Sequence, residues 1–184
     1  MKFVYLNILI VSLVLIILAI TSCSSINPEQ YANQSPHFDF QEFFSGDIIA
    51  WGIVQDRKGN VIRRFEVSMI GKWEANKGTL EEDFIYADGE KQQRTWYFTN
   101  LGNGNYTGYA SDIPDTAIGK TFGSAGNWSY TMDLPVGDKT YKVKFDDWMF
   151  AMDKNTIFNR SYIKKFGLTM AEVTIFMQKK LPSN

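Results

Sequence analysis

The chain has 184 residues, with 19 basic and 20 acidic side chains, a formal charge of −1 and an aromatic content of 15%. Adjacent basic residues occur only as isolated pairs, among them Arg63-Arg64, Lys164-Lys165 and Lys179-Lys180, which excludes the concentrated cationic footprint of a nucleic-acid partner. The single cysteine excludes an internal disulfide, so any fold must be held by its core alone.

In chain order, Met1-Lys2 makes a short positive start and the run from Phe3 to Ile20 is apolar apart from Asn7 and Ser12. It closes on Ile20-Thr21-Ser22-Cys23, an aliphatic residue and two small ones before the cysteine. This pattern resembles the lipobox of bacterial lipoproteins, where the cysteine thiol receives a diacylglycerol. The run is also long enough to span a bilayer uncleaved, but the only cysteine stands where a lipobox puts it. We therefore expect 1–22 to be a lipoprotein signal peptide, Cys23 to be lipidated, 23–36 to form a tether and 37–184 one domain. Two or more acyl chains give stable anchoring. Ser24 in place of Asp resembles the outer-membrane sorting pattern, so the expected location is the outer membrane, with the domain facing the periplasm.

Beyond the tether, Asp39-Phe-Gln-Glu-Phe-Phe44 reads as one short helix with Asp39 as its N-cap. The remainder alternates with period two: Gly46–Gln55, Asn60–Trp73, Thr79–Ala87, Gln92–Thr99, Asn105–Asp112, Trp128–Leu134, Lys139–Met149, Thr156–Ile163 and Glu172–Gln178. Turn signals separate them, among them Asp88-Gly89, Gly102-Asn103-Gly104 and Gly137-Asp138. The expectation is an all-β fold: an antiparallel meander closing into a lipocalin-like β-barrel of about eight to ten strands, with the short helix N-terminal to it.

Alternation assigns faces. Trp128, Tyr130, Met132 and Leu134 share one side of their strand, opposite Ser129, Thr131 and Asp133. Arg63 falls on the apolar face with Phe65, Val67 and Met69, and Asp147 on that of Val143, Phe145 and Met149. An inward charge is costly unless paired, so either Arg63 and Asp147 meet or one of them holds a ligand head group. A bulge that turns the charge outward is the alternative. Trp96 (with Arg94 on its face) and Trp51 (near Gln55) are candidates for the cavity wall or its mouth, although ordinary core packing also suits them.

No catalytic set is legible. The one histidine, His37, lies beside Pro36 in the tether region, and no cluster has zinc spacing, so neither metal nor cofactor is expected. Gly119 to Gly126 does not match a phosphate loop. The acids Glu81-Glu82-Asp83 and Asp146-Asp147 are adjacent, and neighbours on a strand point to opposite faces.

Longer blocks carry a resemblance. The stretch Ala50 to Phe65, Phe145-Asp-Asp-Trp-Met149, Asn159-Arg160, and Lys165-Phe-Gly167 with Glu172 to Phe176 resemble the bacterial lipoprotein family catalogued as domain of unknown function 3833. The resemblance implies a calycin-like envelope lipoprotein. It carries over the positions Trp51, Gln55, Asp56, Arg57, Arg63, Arg64, Asp146, Asp147, Trp148, Asn159 and Arg160. The leading expectation is a barrel holding a fatty-acyl or other apolar small molecule among Trp51, Trp96, Trp128 and Tyr130, with Arg63, Asp147 and Arg160 as candidate polar contacts. The alternatives are a filled barrel serving as an envelope interaction module, and an enzyme on a lipid-like substrate using Asp147 as acid or base.

Overall fold

The computed structural model describes residues 26–180. The strands are β1 (Gly46–Asp56), β2 (Val61–Glu74), β3 (Lys77–Tyr86), β4 (Lys91–Gly102), β5 (Asn105–Tyr109), β6 (Ala117–Phe122), β7 (Ala125–Val136), β8 (Lys139–Ala151), β9 (Thr156–Lys165) and β10 (Leu168–Lys179). Each pairs antiparallel with its neighbours in sequence, and β10 returns to β1 with Phe176 opposite Trp51. Closure leaves no unpaired edge for another chain to extend. One strand, β6, lies in a stretch where the sequence pattern showed none. Gly119 of β6 faces inward against Trp128, and a Cβ there would come within 2.5 Å of the indole. The inward face of β6 therefore lacks the side chain that would have marked it as half-buried.

An up-and-down meander gathers its hairpins at two ends. The turns β2–β3, β4–β5, β6–β7 and β8–β9 lie at one end, with the chain entering there. This end is plugged. Asp39 accepts a hydrogen bond from the Glu42 amide at 2.8 Å, capping the one-turn helix α1 (Phe40–Phe43). Phe38, Phe40, Phe43 and Phe44 are all buried. The Phe40 ring lies 5.0 Å from Phe98, 5.1 Å from Tyr106 and 5.0 Å from Trp128. Burying each such ring stabilises by roughly 1.5–3 kcal/mol. The Trp73 indole donates to the Phe44 carbonyl at 2.9 Å, and a Cβ on Gly71 would stand 1.9 Å from that oxygen. Glycine at 71 is what lets the plug seat.

The described part of the tether segment is held to this same end. Pro28–Tyr31 forms a 3-10 turn. The Tyr31 ring covers Trp148 and Phe150 on the outer wall, at 6.1 and 5.5 Å. Its carbonyl accepts from the Ser124 amide at 3.4 Å, and the Phe38 amide donates to Gly123 at 2.6 Å.

The other end collects the turns β1–β2, β3–β4, β5–β6, β7–β8 and β9–β10, and the β5–β6 connection folds inward there, burying Ala110 and Ile113. Val54, Phe84, Tyr86, Leu134, Tyr141, Ala171 and Ile175 pack against the core near this end yet are only half-buried. Inward-facing residues thus keep solvent contact at this end, as those near the plugged end do not.

Candidate functional site

Between the aromatic floor and the open mouth lies a belt of polar side chains inside the barrel. Glu82 of β3 and Arg94 of β4 are cross-strand partners on the face that also carries Leu80, Phe84, Trp96 and Phe98. The Arg94 guanidinium donates to Asp112, from the β5–β6 connection, at 2.5 Å, and its Nη2 lies 3.9 Å from the Met132 sulfur. Across the lumen, Asp147 of β8 accepts hydrogen bonds from Asn159 and Ser161 of β9. Asn159 is 1% exposed and also donates to the Trp148 carbonyl at 3.0 Å. Tyr130 stacks on Phe145 at 5.0 Å and meets the edge of Trp96 at 5.4 Å.

The belt carries three carboxylates against one guanidinium. Burial pushes Glu82 up to about 7; Arg94 offsets part of this, while Asp112 and Asp147 add to it. Burial also raises Asp147, against the hydrogen bonds from Asn159 and Ser161. The Tyr130 hydroxyl is held well above its ordinary range, first by burial and then by Asp147. Near neutral pH, Glu82 therefore exchanges its proton while Tyr130 keeps its own.

Among the described residues, the buried side-chain polar atoms without a partner are Glu82 Oε2, Arg94 Nε and Asp112 Oδ1. All three belong to the belt. Buried polar groups are normally satisfied, and exceptions concentrate where a ligand or catalytic role keeps them. The set holds one donor and two acceptors. A neutral group that both gives and takes hydrogen bonds matches it chemically; a free carboxylate would face three acids and one already paired cation.

Of the residues singled out from sequence, Trp96, Trp128, Tyr130 and Asp147 come together in the lumen. The expected meeting of Arg63 with Asp147 does not occur. Arg63 sits at the mouth, 3.6 Å above the Tyr86 ring, and pairs with Glu90 at 2.7 Å and Asp88 at 3.8 Å. Its position on β2 is a strand end, where a long side chain reaches solvent. Trp51 stands on the outer wall, 43% exposed, donating to Glu66 at 3.1 Å and stacking on Phe176 at 6.0 Å. Arg160 is likewise outside, paired with Glu172 at 2.6 Å. Neither can touch a molecule in the lumen. Cys23 lies outside the described residues.

Of the belt residues Glu82, Arg94, Asp112, Asn159 and Ser161, the sequence marks Arg94 only as a neighbour on the face of Trp96 and Asn159 only through the family resemblance, and it marks the other three for no site. Parity was available for four of them: Glu82 alternates with Leu80 and Phe84, Arg94 with Trp96, and Asn159 and Ser161 with Ile157 and Ile163. Asp112 sits in a connection and carries no periodic signal.

A family model described as "Protein of unknown function (DUF3833)" matches residues 17–179. No curated protein matches the sequence significantly. Two solved structures share the fold. An S-type phycobiliprotein lyase, CPES, from Guillardia theta superposes with a TM-score of 0.56 at 8% identity, covering 78% of this chain and 92% of its own. Rv2717c from M. tuberculosis gives 0.55 at 10% identity, covering 75% and 93%. Such low identities establish a shared lipocalin-like barrel, and leave the activity to be argued from the site.

Proposed function

We propose, since this chain belongs to the DUF3833 family of proteins of unknown function, that it is a small-molecule-binding barrel anchored in the bacterial envelope through a lipidated Cys23. The single observation behind the binding role is the polar belt, set in an aromatic lumen and left with three unpartnered atoms. A packed barrel built for shape alone gains nothing from three acids and an arginine inside it, because each must be desolvated.

The ligand is amphiphilic. Its apolar body lies against Phe65, Phe84, Tyr130 and Phe145, and its polar group sits beside Glu82, Arg94 and Asp112. The charge balance of the belt favours a fatty-acyl ester, amide or alcohol over a free fatty acid. That a barrel of the same fold is a phycobiliprotein lyase agrees with small-molecule handling by this architecture.

The reading is tested by titrating a long-chain alcohol, its amide and its acid against tryptophan fluorescence, since Trp96 and Trp128 line the floor of the lumen. Saturable quenching by the alcohol and amide, weaker by the acid, and reduced in Arg94→Leu and Asp112→Asn, is the expected result. Equal and non-saturable effects of all three would refute it.

A further inference from the structure

We infer that one half of the open rim is a docking surface for an anionic lipid bilayer. The inference stands whatever the lumen holds. Around the barrel the hairpins of the open end follow in the order β7–β8, β9–β10, β1–β2, β3–β4 and β5–β6. The first three are contiguous, and they carry Val136, then Phe166, Leu168 and Met170, then Val61 and Ile62, each exposed. Scattered exposed apolar residues are ordinary; six on three adjacent tips form a patch that water must cover.

Phe166 is the centre of it. It is 93% exposed and occupies the first position of the Phe166-Gly167 turn with φ of +52°. Two-residue hairpin turns with positive φ favour Asn, Asp or Gly there. A phenylalanine strains the turn, and 93% of its surface stays outside the fold, so its place is explained by contact with something beyond the chain.

Charge says what that something is. The same three tips and their flanking strand ends carry Arg57, Lys58, Arg64, Lys139, Lys142 and Lys165 against Asp56, Asp133 and Asp138. Asp56 is already engaged by the Lys58 and Asn60 amides of its own turn. The other two tips are acidic, with Asp88, Glu90, Asp112 and Asp115 against Lys91. Apolar tips ringed by cations fit the interface of a bilayer bearing anionic head groups, with the acidic half tilted away.

The test uses the full lipidated chain in vesicles of equal parts phosphatidylcholine and phosphatidylglycerol. A solvent-sensitive dye is placed at Phe166→Cys or, as the comparison, at Lys154→Cys of the β8–β9 turn at the closed end. Labelling of the chain without an added cysteine is subtracted. Nitroxide lipids then report depth. A barrel held by its N-terminal segment alone brings the closed end nearest the membrane. The inference requires the opposite: quenching several-fold stronger at 166 than at 154, falling in pure phosphatidylcholine and in Lys139→Glu/Lys165→Glu. Both labelled sites are exposed, so folding is not at stake. Equal or weaker quenching at 166 overturns the proposal, as does a dye that is wet in vesicles and shielded only in native envelopes, which would make the partner a protein.

Discussion

Glu82 sits where its charge is least welcome, buried beside Asp112 and Asp147 and only partly balanced by Arg94, which holds its pKa near 7. Its folded value lies above its unfolded one, so the stability linked to its proton is fully present below about pH 4.5 and is lost as pH rises through about 7. Glu82→Gln should remove that dependence. We expect the variant to match the parent in Tm at about pH 5 and to exceed it at about pH 8 by the equivalent of about 2–3 kcal/mol, read by thermal unfolding. Asp146 behaves in the opposite sense. Burial alone would raise it, but Lys164 at 2.5 Å, Asn127 and Trp148 outweigh burial and hold it below its usual range. Its contribution is present above the unfolded pKa and is lost as pH falls through the folded one. Asp146→Asn should therefore flatten the acid side of the stability profile by about 1 kcal/mol, since the pair is partly exposed.

At the level of elements, α1 is one turn long and has no stability of its own; its own Phe40 and Phe43 and the flanking Phe38 and Phe44 hold it in the barrel end. Phe40→Ala should cost about 3–5 kcal/mol in denaturant unfolding, because the ring is enclosed by Phe98, Tyr106 and Trp128 and the site cannot collapse. Gly71→Ala should cost about 1–3 kcal/mol by pushing the Phe44 carbonyl off its seat. Nine of the ten strands were legible, since each alternates apolar and polar residues between turn residues, and so was the Asp39 cap. The strand β6 escaped because Gly119 stands where its inward side chain would be, in order to make room for Trp128. The plugging role of the helix was also hidden: local pattern reveals that Phe40 and Phe43 are buried, not that a barrel mouth is what buries them. Strand-end geometry defeated the Arg63 reading in the same way. Its parity points inward, but two residues from the turn a guanidinium finds Glu90, Asp88 and the Tyr86 face sooner than the lumen.

The whole molecule is a cup whose closed end carries the entering chain. The lipid anchor we propose would thus enter from the base on the β8 side, where Tyr31 covers Trp148 and Phe150, and rim docking to the same bilayer lays the barrel on its side. Cys23→Ser should move the protein from the membrane fraction to the soluble fraction without altering its thermal unfolding, as every described core contact lies within 26–180. The central claim is that the lumen holds an amphiphile against the polar belt. Its most direct test is to express the chain from Ser24 onward in a bacterial periplasm, purify it without detergent, and identify what is extracted by mass spectrometry. The account predicts a near-stoichiometric molecule with a long apolar chain and a neutral hydrogen-bonding end, absent from Arg94→Leu protein of unchanged strand content. A folded, ligand-free domain that also takes up no such molecule when offered one would contradict it.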